Sequence, residues 1–244
     1  MKLIRHIVFI TLLFNSLFAY CDKLIIGVLN FAPPFSSADT NNHYFGFSID
    51  LVNEICKRIN ATCIYKAIDL NSQFKDLNDG VIDITLLPSP IPSTTPEDYV
   101  FSLPYITSKG QFVALKSSDI NSIEDIKDKK IGALQVTTFQ YNILPNYTSK
   151  ENIKTYPQVT SLIQAVSHHE VDAALMNENV AKYLLLNKTL DGFQLVGQPI
   201  ITGNGYGIIA LKKNAPIIDK INKTLLQIEA DGTYLALYNK YFGK

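Results

Sequence analysis

Tryptophan is absent from this sequence of 244 residues, so aromatic contacts must come from its 13 tyrosines and 13 phenylalanines. Cysteine is scarce, and 3 residues are too few for a disulfide-rich scaffold. An excess of positive charge is also missing, because 22 Lys and Arg residues balance 22 Asp and Glu residues. That balance argues against a nucleic-acid binder that works by neutralising phosphates.

Motifs of several enzyme classes are missing as well. The sequence has no G-x-x-x-x-G-K-[ST] phosphate loop, no H-E-x-x-H zinc motif and no G-x-S-x-G nucleophile motif. His168, His169 and Glu170 are potential metal ligands, but adjacent side chains at a helix end point in different directions. We therefore expect no metal, no cofactor and no catalytic residues.

Residues 1–19 have the pattern of a signal peptide. A basic start precedes an apolar stretch at 7–14, which is too short to span a membrane comfortably. We predict cleavage after Ala19 and export of the remaining chain. Lipid attachment at Cys21 is the alternative, although the bulky Tyr20 before it is unfavourable for that modification.

Export would place Cys56 and Cys63 in an oxidising compartment. Cys56 lies late in a helix-like run, and Cys63 begins the next apolar run. The six residues between them can fold back and bring the two thiols together. We expect a disulfide here, and two buried free thiols are the alternative.

Apolar runs and helical periodicity alternate in the first part of the chain. Residues 23–29 predict a buried strand, and residues 47–59 have apolar side chains at helical spacing. A strand at 63–67, a short helix at 71–78 and a strand at 82–86 follow. This β-α-β-α-β order is typical of a parallel sheet covered by helices.

The alternating pattern begins again near residue 111, which indicates a second α/β unit. The predicted strands lie at 111–115, 130–134, 171–175, 193–196 and 207–211, and the predicted helices at 122–126, 160–166, 177–186, 215–229 and 234–241. Thr137 and Thr138 are expected to begin a further helix. Ligands of such sheets bind where the carboxyl ends of the strands meet, so two facing lobes predict a cleft there.

A series of short motifs resembles one protein family in both composition and order. The motifs are YFGFSIDL at 44–51, CKRINATC at 56–63, GVID at 80–83, TPE at 95–97, FSLPY at 101–105, KKIG at 129–132, QVTT at 135–138, EVDAA at 170–174, DGTY at 231–234 and NKYFG at 239–243. Together they resemble the family 3 periplasmic solute-binding proteins of polar amino-acid ABC importers. The paired cysteines resemble the lysine/arginine/ornithine-binding and arginine-binding branch.

The resemblance implies an α/β fold of the type II periplasmic-binding-protein kind, with two lobes that each contain a mostly parallel sheet flanked by helices. Lobe 1 would comprise 22–106 and 207–244, and lobe 2 would comprise 111–197. Two crossing segments at about 107–110 and 198–206 would form the hinge.

The resemblance also implies a function and its partners. The chain would be a periplasmic monomer that captures a small molecule, either an amino acid or a related polar or neutral solute. Closure around the ligand would let it dock on an ABC permease in the membrane, with no role for nucleic acid. Two other functions remain open: a secreted ligand sensor or adaptor, and a dehydratase-like enzyme.

The sequence departs from the family where an amino acid is usually held. The arginine that binds the ligand carboxylate is matched by Thr95, or by Asp98 when the TPE motif is aligned. Either residue removes the bidentate guanidinium. The acid that binds the ligand ammonium is matched by Asn177, with Glu178 beside it.

The remaining site positions are also unusual. Leu29 replaces the acid that follows the first strand, and Ala32 replaces a stacking aromatic. The serine-rich loop has the sequence LPSPIP at 87–92, in which prolines remove backbone donors. A buried zwitterion needs opposite charges or fixed donors, so we predict a neutral or weakly polar ligand.

The predicted ligand-binding residues offer neutral hydrogen bonds or apolar walls. The set is Phe31, Phe35, Leu70, Leu87, Ser89, Thr95, Thr138, Phe139 and Asn177. Some have structural alternatives, since Phe35 and Leu87 also suit the core and Thr95 also suits a helix cap. The amides of the helix that starts after Thr138 are expected to hold an anion or a carbonyl.

Overall fold

The computed structural model describes residues 22–87, 90–92, 94 and 96–243. The predicted signal peptide and Cys21 therefore lie outside the described residues. Within the described ranges, no helix is long and apolar enough to cross a membrane.

The described residues form strands and helices that alternate along much of the chain. The strands are β1 (Asp22–Val28), β2 (Phe31–Ala32), β3 (Ser36–Ala38), β4 (Tyr44–Phe45), β5 (Ala61–Ala67), β6 (Ile84–Thr85), β7 (Tyr99–Phe101), β8 (Lys109–Leu115), β9 (Ile131–Leu134), β10 (Ile153–Tyr156), β11 (Ala173–Asn177), β12 (Phe193–Ile201) and β13 (Ile209–Leu211). The α-helices are α1 (Phe47–Arg58), α2 (Gln73–Asn78), α3 (Val159–Ser167), α4 (Glu178–Leu186), α5 (Ala215–Ala230) and α6 (Thr233–Phe242). The predicted α/β class is confirmed.

One five-stranded sheet has the order β5-β1-β6-β13-β7. Its pairs are parallel between β1 and both β5 and β6, and antiparallel between β13 and both β6 and β7. Parallel pairing with the register Ile26↔Ile84 places β6 beside the buried β1. The sheet thus combines strands from residues 22–101 with one strand from 209–211.

A second five-stranded sheet has the order β10-β9-β11-β8-β12. The strands β10, β9 and β11 run parallel, whereas β8 pairs antiparallel with β11 and β12. All of its strands come from residues 109–201. Both sheets are therefore mixed, because each contains parallel and antiparallel pairs.

Phe47 is the centre of a cluster of tyrosine and phenylalanine rings. Its fully buried ring lies 5.0 Å from the Phe242 ring and 6.0 Å from the Tyr234 ring, measured between centroids. Edge contacts of this kind add about 0.5–1.5 kcal/mol each beyond the burial of apolar area. These contacts pack α6 against the start of α1.

The predicted disulfide is present between Cys56 and Cys63, whose Cα atoms are 6.2 Å apart. It joins the last turn of α1 to β5, which begins at Ala61. The alternative of two free thiols is therefore wrong.

Two segments cross between the sheets, one leading into β8 and the other leaving β12. The Thr202 N–H donates to the Ser108 carbonyl at 3.0 Å, and the Tyr206 N–H donates to the Ile106 carbonyl at 2.8 Å. The hydroxyls of Ser108 and Thr202 also lie 2.6 Å apart, and both residues are buried. The two crossings are thus bonded to each other.

Several local predictions were wrong. The small antiparallel sheet of β2, β3 and β4 was not predicted; residues 33–35 form the turn between β2 and β3, with a cis peptide bond between Pro33 and Pro34. The strands β7 and β10 were not predicted. The helix expected after Thr138 is a five-residue π-helix, Phe139–Ile143, followed by a 3-10 turn that contains Pro145.

Candidate ligand-binding site

A cavity of about 360 Å³ lies where strand ends from both sheets meet. The first sheet contributes 29–31, which follow β1, and 67–70, at the end of β5. The second sheet contributes Leu134, the last residue of β9, and 157–160, which follow β10. The carboxyl ends of four parallel strands therefore surround one space, as the sheet topology predicts.

A second cavity of about 200 Å³ adjoins the first, since Leu70 lines both. It lies between α2 and the proline-rich loop on one side and the start of the π-helix on the other. Its lining residues are Leu70, Gln73, Phe74, Pro90, Pro92, Pro96, Phe101, Val136, Thr137, Thr138, Phe139, Tyr206 and Ile209. None of these side chains is an acid, a lysine, an arginine or a histidine.

The structure brings four of the predicted ligand-binding residues to these cavities. Phe31 lines the first cavity, and its side chain is exposed. Leu70 lines both cavities, and Thr138 and Phe139 line the second. These residues come from the segments that follow β1, β5 and β9, which explains why they converge.

Phe35 and Leu87 are placed differently, because both are buried in the core and line neither cavity. The Phe35 ring packs between the rings of Tyr206 and Phe242 at centroid distances of 6.1 and 6.0 Å. Ser89 and Thr95 lie outside the described residues.

Asn177 is the last residue of β11 and the N-cap of α4. Its side-chain oxygen accepts hydrogen bonds from the backbone N–H groups of Asn179 at 2.8 Å and Val180 at 3.1 Å. Its side-chain nitrogen donates to the phenol of Tyr206 at 2.6 Å. The residue is only 7% exposed, so these bonds are made in the interior, where an unmet polar group is costly.

Tyr206 lies on the crossing segment after β12 and is 1% exposed. Burial raises the pKa of its phenol, an effect opposed by hydrogen bonds with Ser108 and Asn177. The phenol is therefore neutral at physiological pH. Its phenol bond to Asn177 and its backbone N–H bond to the Ile106 carbonyl join the end of β11 to both crossing segments.

The carboxylate of Glu178, the residue after Asn177, is paired with two lysines. Its carboxylate receives a 2.5 Å hydrogen bond from the Lys182 ammonium and lies 3.9 Å from the Lys109 ammonium. Glu178 is the first residue of α4, where the helix dipole also favours its negative charge. It lines neither cavity.

Thr137 and Thr138 also differ from expectation. The Thr137 hydroxyl donates to the Leu134 carbonyl at 2.7 Å, and Thr138 makes no side-chain cap bond. The π-helix that follows has only five residues. The predicted anion site therefore lies at the start of a short π-helix, and both threonines line the second cavity.

Asp69 is the one charged side chain among the described residues that line either cavity, and it is exposed. The sequence between Asp83 and Glu97 contains no charged residue, so the proline-rich loop adds none. No group of three or more His, Cys, Asp or Glu side chains in the described ranges is placed to hold a metal. The site can enclose a small molecule, but its walls offer little to balance an ionic one.

Sequence reasoning missed some of the lining residues. Leu134 and Pro157 each lie at or just after a strand end, so the rule of strand ends could have identified them. Tyr206 gave no such signal, because it follows a glycine-rich stretch and belongs to no strand or helix.

Comparisons with known proteins agree with this geometry. The profile of the bacterial extracellular solute-binding proteins of family 3 matches residues 24–244. The arginine-binding periplasmic protein of Mannheimia haemolytica is 28% identical over 242 residues, which cover 96% of this chain and 97% of that protein. The lysine/arginine/ornithine-binding periplasmic protein of Escherichia coli K12 is 28% identical over 235 residues, with 93% and 90% covered.

A solved structure agrees in fold as well. The arginine 3rd transport system periplasmic binding protein from Legionella pneumophila is 33% identical and superposes with a TM-score of 0.85. The match covers 91% of this chain and 100% of that one.

Proposed function

The chain belongs to family 3 of the bacterial extracellular solute-binding proteins, and we propose that it captures a small solute in the periplasm and delivers it to an ABC importer. The observation that carries this proposal is the cavity at which strand ends of both sheets meet. A ligand there contacts both sheets at once, so it stabilises an arrangement in which they are close together.

The two sheets are proposed as the cores of two lobes, at 22–106 with 207–244 and at 111–197. The crossings near 107–110 and 198–206 serve as the hinge. Their mutual bonds, such as those between Ser108 and Thr202, keep the crossings in register. Bending would then be concentrated in a few backbone angles beside them.

The ligand is a small molecule, either an amino acid or a related polar or neutral solute. Similar proteins are named for binding arginine, lysine, ornithine or histidine. Contacts are proposed from Phe31, Leu70, Thr138 and Phe139, which line the cavities. Ser89, Thr95 and Asn177 remain proposed members of the site.

Export, oligomeric state and activity complete the proposal. A signal peptide at 1–19 would be cleaved and place the chain in the periplasm. The chain would act as a monomer that docks on a membrane permease, and as a carrier rather than an enzyme. A binding role is supported by relatives that are named for transport and binding.

A thermal-shift screen with small-angle scattering tests the proposal. One panel contains the common amino acids, and the other contains amines, amides, alcohols and small peptides. A ligand at 100 times its Kd stabilises the folded protein by about 2.7 kcal/mol, which raises the Tm by roughly 5–10 °C for this size.

Any compound that raises the Tm is then added for scattering. A reduced radius of gyration on addition of that compound supports capture by closure of two lobes. A bound compound that leaves the radius unchanged contradicts closure, and the absence of any shift in both panels contradicts solute capture.

A further inference from the structure

The side-chain oxygen of Asn177 has no lone pair left to accept a hydrogen bond from a ligand. A side-chain amide oxygen has two lone pairs, and here the N–H groups of Asn179 and Val180 occupy both. One of its two N–H donors is used by the Tyr206 phenol at 2.6 Å. A ligand ammonium that reached the end of β11 would therefore find donors and no free oxygen.

The nearest carboxylate is engaged as well. Glu178 follows Asn177 directly, but its oxygens face the ammonium groups of Lys182 and Lys109. Glu178 itself lines neither cavity. Neither residue at the end of β11 can neutralise a cationic ligand.

The described residues of both cavities also lack basic groups that would bind an anionic ligand. No lysine or arginine lines either cavity among the described residues. In the second cavity Pro90, Pro92 and Pro96 replace residues that would offer backbone N–H donors. The desolvation of a carboxylate in this space would have no counter-charge to offset it.

We propose that Tyr206 is the specificity-determining residue of the cleft. Its neutral phenol takes up a hydrogen-bond donor of Asn177, and Tyr206 also lines the second cavity. That cavity then becomes a subsite for an uncharged ligand that has an apolar body and an amide or hydroxyl group. Leu70 and Phe139 form the apolar walls, and the Thr138 hydroxyl is the hydrogen-bonding partner. This inference rests on the proposed function and names the class of solute.

Asp69 is the residue that argues for a different ligand, because it lines the first cavity and carries a negative charge. It is exposed to solvent, so water hydrates its carboxylate without a ligand. Capture of a primary amine through Asp69 is therefore the outcome that the experiment must separate from capture of an uncharged solute.

Two matched series of compounds make this separation by isothermal titration of the exported chain. The first series is leucine, 3-methylbutylamine, 4-methylpentanoate and 4-methylpentanamide. The second is phenylalanine, phenethylamine, 3-phenylpropanoate and 3-phenylpropanamide. Within a series the apolar body is constant, and the polar groups and their charges change. The amide should bind at least about tenfold more tightly than every charged member of its series.

Three variants test the role of Tyr206 and Asn177. N177D keeps an oxygen to cap α4 and adds a negative charge, so it should shift selectivity toward the amine by at least about tenfold. Y206F frees a donor of Asn177 and should shift selectivity toward the carboxylate. N179D is the matched control, because Asn179 lies two positions along the chain and lines neither cavity; it should change neither ratio.

The outcomes distinguish this inference from the proposed function. Tighter binding of leucine, phenylalanine or a carboxylate overturns the inference and leaves solute capture intact. Tighter binding of an amine, lost in D69N, also overturns it and identifies Asp69 as the anchor. If N177D and Y206F leave the relative affinities for amine, carboxylate and amide unchanged, Tyr206 does not determine specificity. Failure of all eight compounds overturns the proposed subsite, and only failure of the broad screen as well counts against solute capture.

Discussion

Ser108 and Thr202 share a hydrogen bond between their hydroxyl oxygens, 2.6 Å apart, although 94 positions separate them in the sequence. Both residues are buried, at 2% and 1% exposed. Tyr206 lies on the same crossing segment as Thr202, and its phenol oxygen accepts a hydrogen bond from Asn177. Buried polar contacts therefore link the two crossing segments to each other and the second of them to the end of β11.

Removal of one hydroxyl from this pair should destabilise the protein. In S108A or T202V the remaining hydroxyl stays buried without this hydrogen bond, which should lower the free energy of unfolding by about 1–3 kcal/mol. The double variant should cost less than the sum of the two, since it removes both polar groups. Urea denaturation measures all three. S167A removes an exposed hydroxyl that bonds its own helix and should change stability by less than about 0.5 kcal/mol. Additive losses in the double variant would contradict a direct interaction.

Replacement of Asn177 by alanine should cost more than replacement by aspartate. N177A removes the cap of α4 and the bond to Tyr206, for a loss of about 2–3 kcal/mol. N177D retains an oxygen for the two N–H groups and can accept from the Tyr206 phenol, so its loss should be less than half as large. The midpoint of urea denaturation for each variant gives the comparison. Equal losses would show that the cap bonds contribute little.

Gly46 should tolerate alanine far less than another glycine of positive φ. Gly46 has a φ of 133°, and a Cβ there would lie 2.4 Å from the Phe35 carbonyl oxygen. Gly192 has a φ of 81°, and a Cβ there meets no atom within 4 Å. We expect G46A to lose at least about 2 kcal/mol more than G192A, because it adds a backbone clash to the strain of the left-handed region. Thermal melts of both variants test this difference, and similar Tm values would contradict it.

Protonation of Asp231 should contribute to a loss of stability in acid. Hydrogen bonds from Thr233 and then from Arg58 lower the pKa of its carboxyl from 3.8 to about 2. Because the folded-state pKa is the lower one, this contribution is present above about pH 4 and is lost as the pH falls toward 2. D231N should therefore show a shallower loss of stability between these pH values than the wild-type protein.

Denaturation midpoints between pH 7 and pH 2.5 give the profile for each form of the protein. D191N is the control, since Asp191 is exposed and makes no ion pair among the described residues. It should follow the wild-type profile. A D231N profile parallel to that of the wild type would contradict the assignment.

The regular elements of this fold were largely predictable from the sequence. Ile49, Val52 and Ile55 recur at helical spacing, and all three are buried on one face of α1. The small sheet of β2, β3 and β4 was not predictable, because its strands have two or three residues and show no measurable period. Pro33 and Pro34 also favoured a turn in that segment.

The site was predictable only in part, for a physical reason. Leu70 and Phe139 follow strands, so topology brings them to the cleft. The role of Asn177 depends on Tyr206, which lies 29 positions away on a segment without regular structure. No local pattern encodes such a contact, and the type of one residue cannot reveal that another residue uses its hydrogen bonds.

The strand order of the first sheet imposes an order of assembly. β7 is held in that sheet through β13, its one strand neighbour there among the described residues. β13 follows β7 by more than 100 residues, a stretch that contains the whole second sheet. Contacts across such a separation require closure of a long loop and form slowly. We therefore expect the continuous 109–201 region to gain protection from hydrogen exchange early in refolding, while the amides of β7 become protected last.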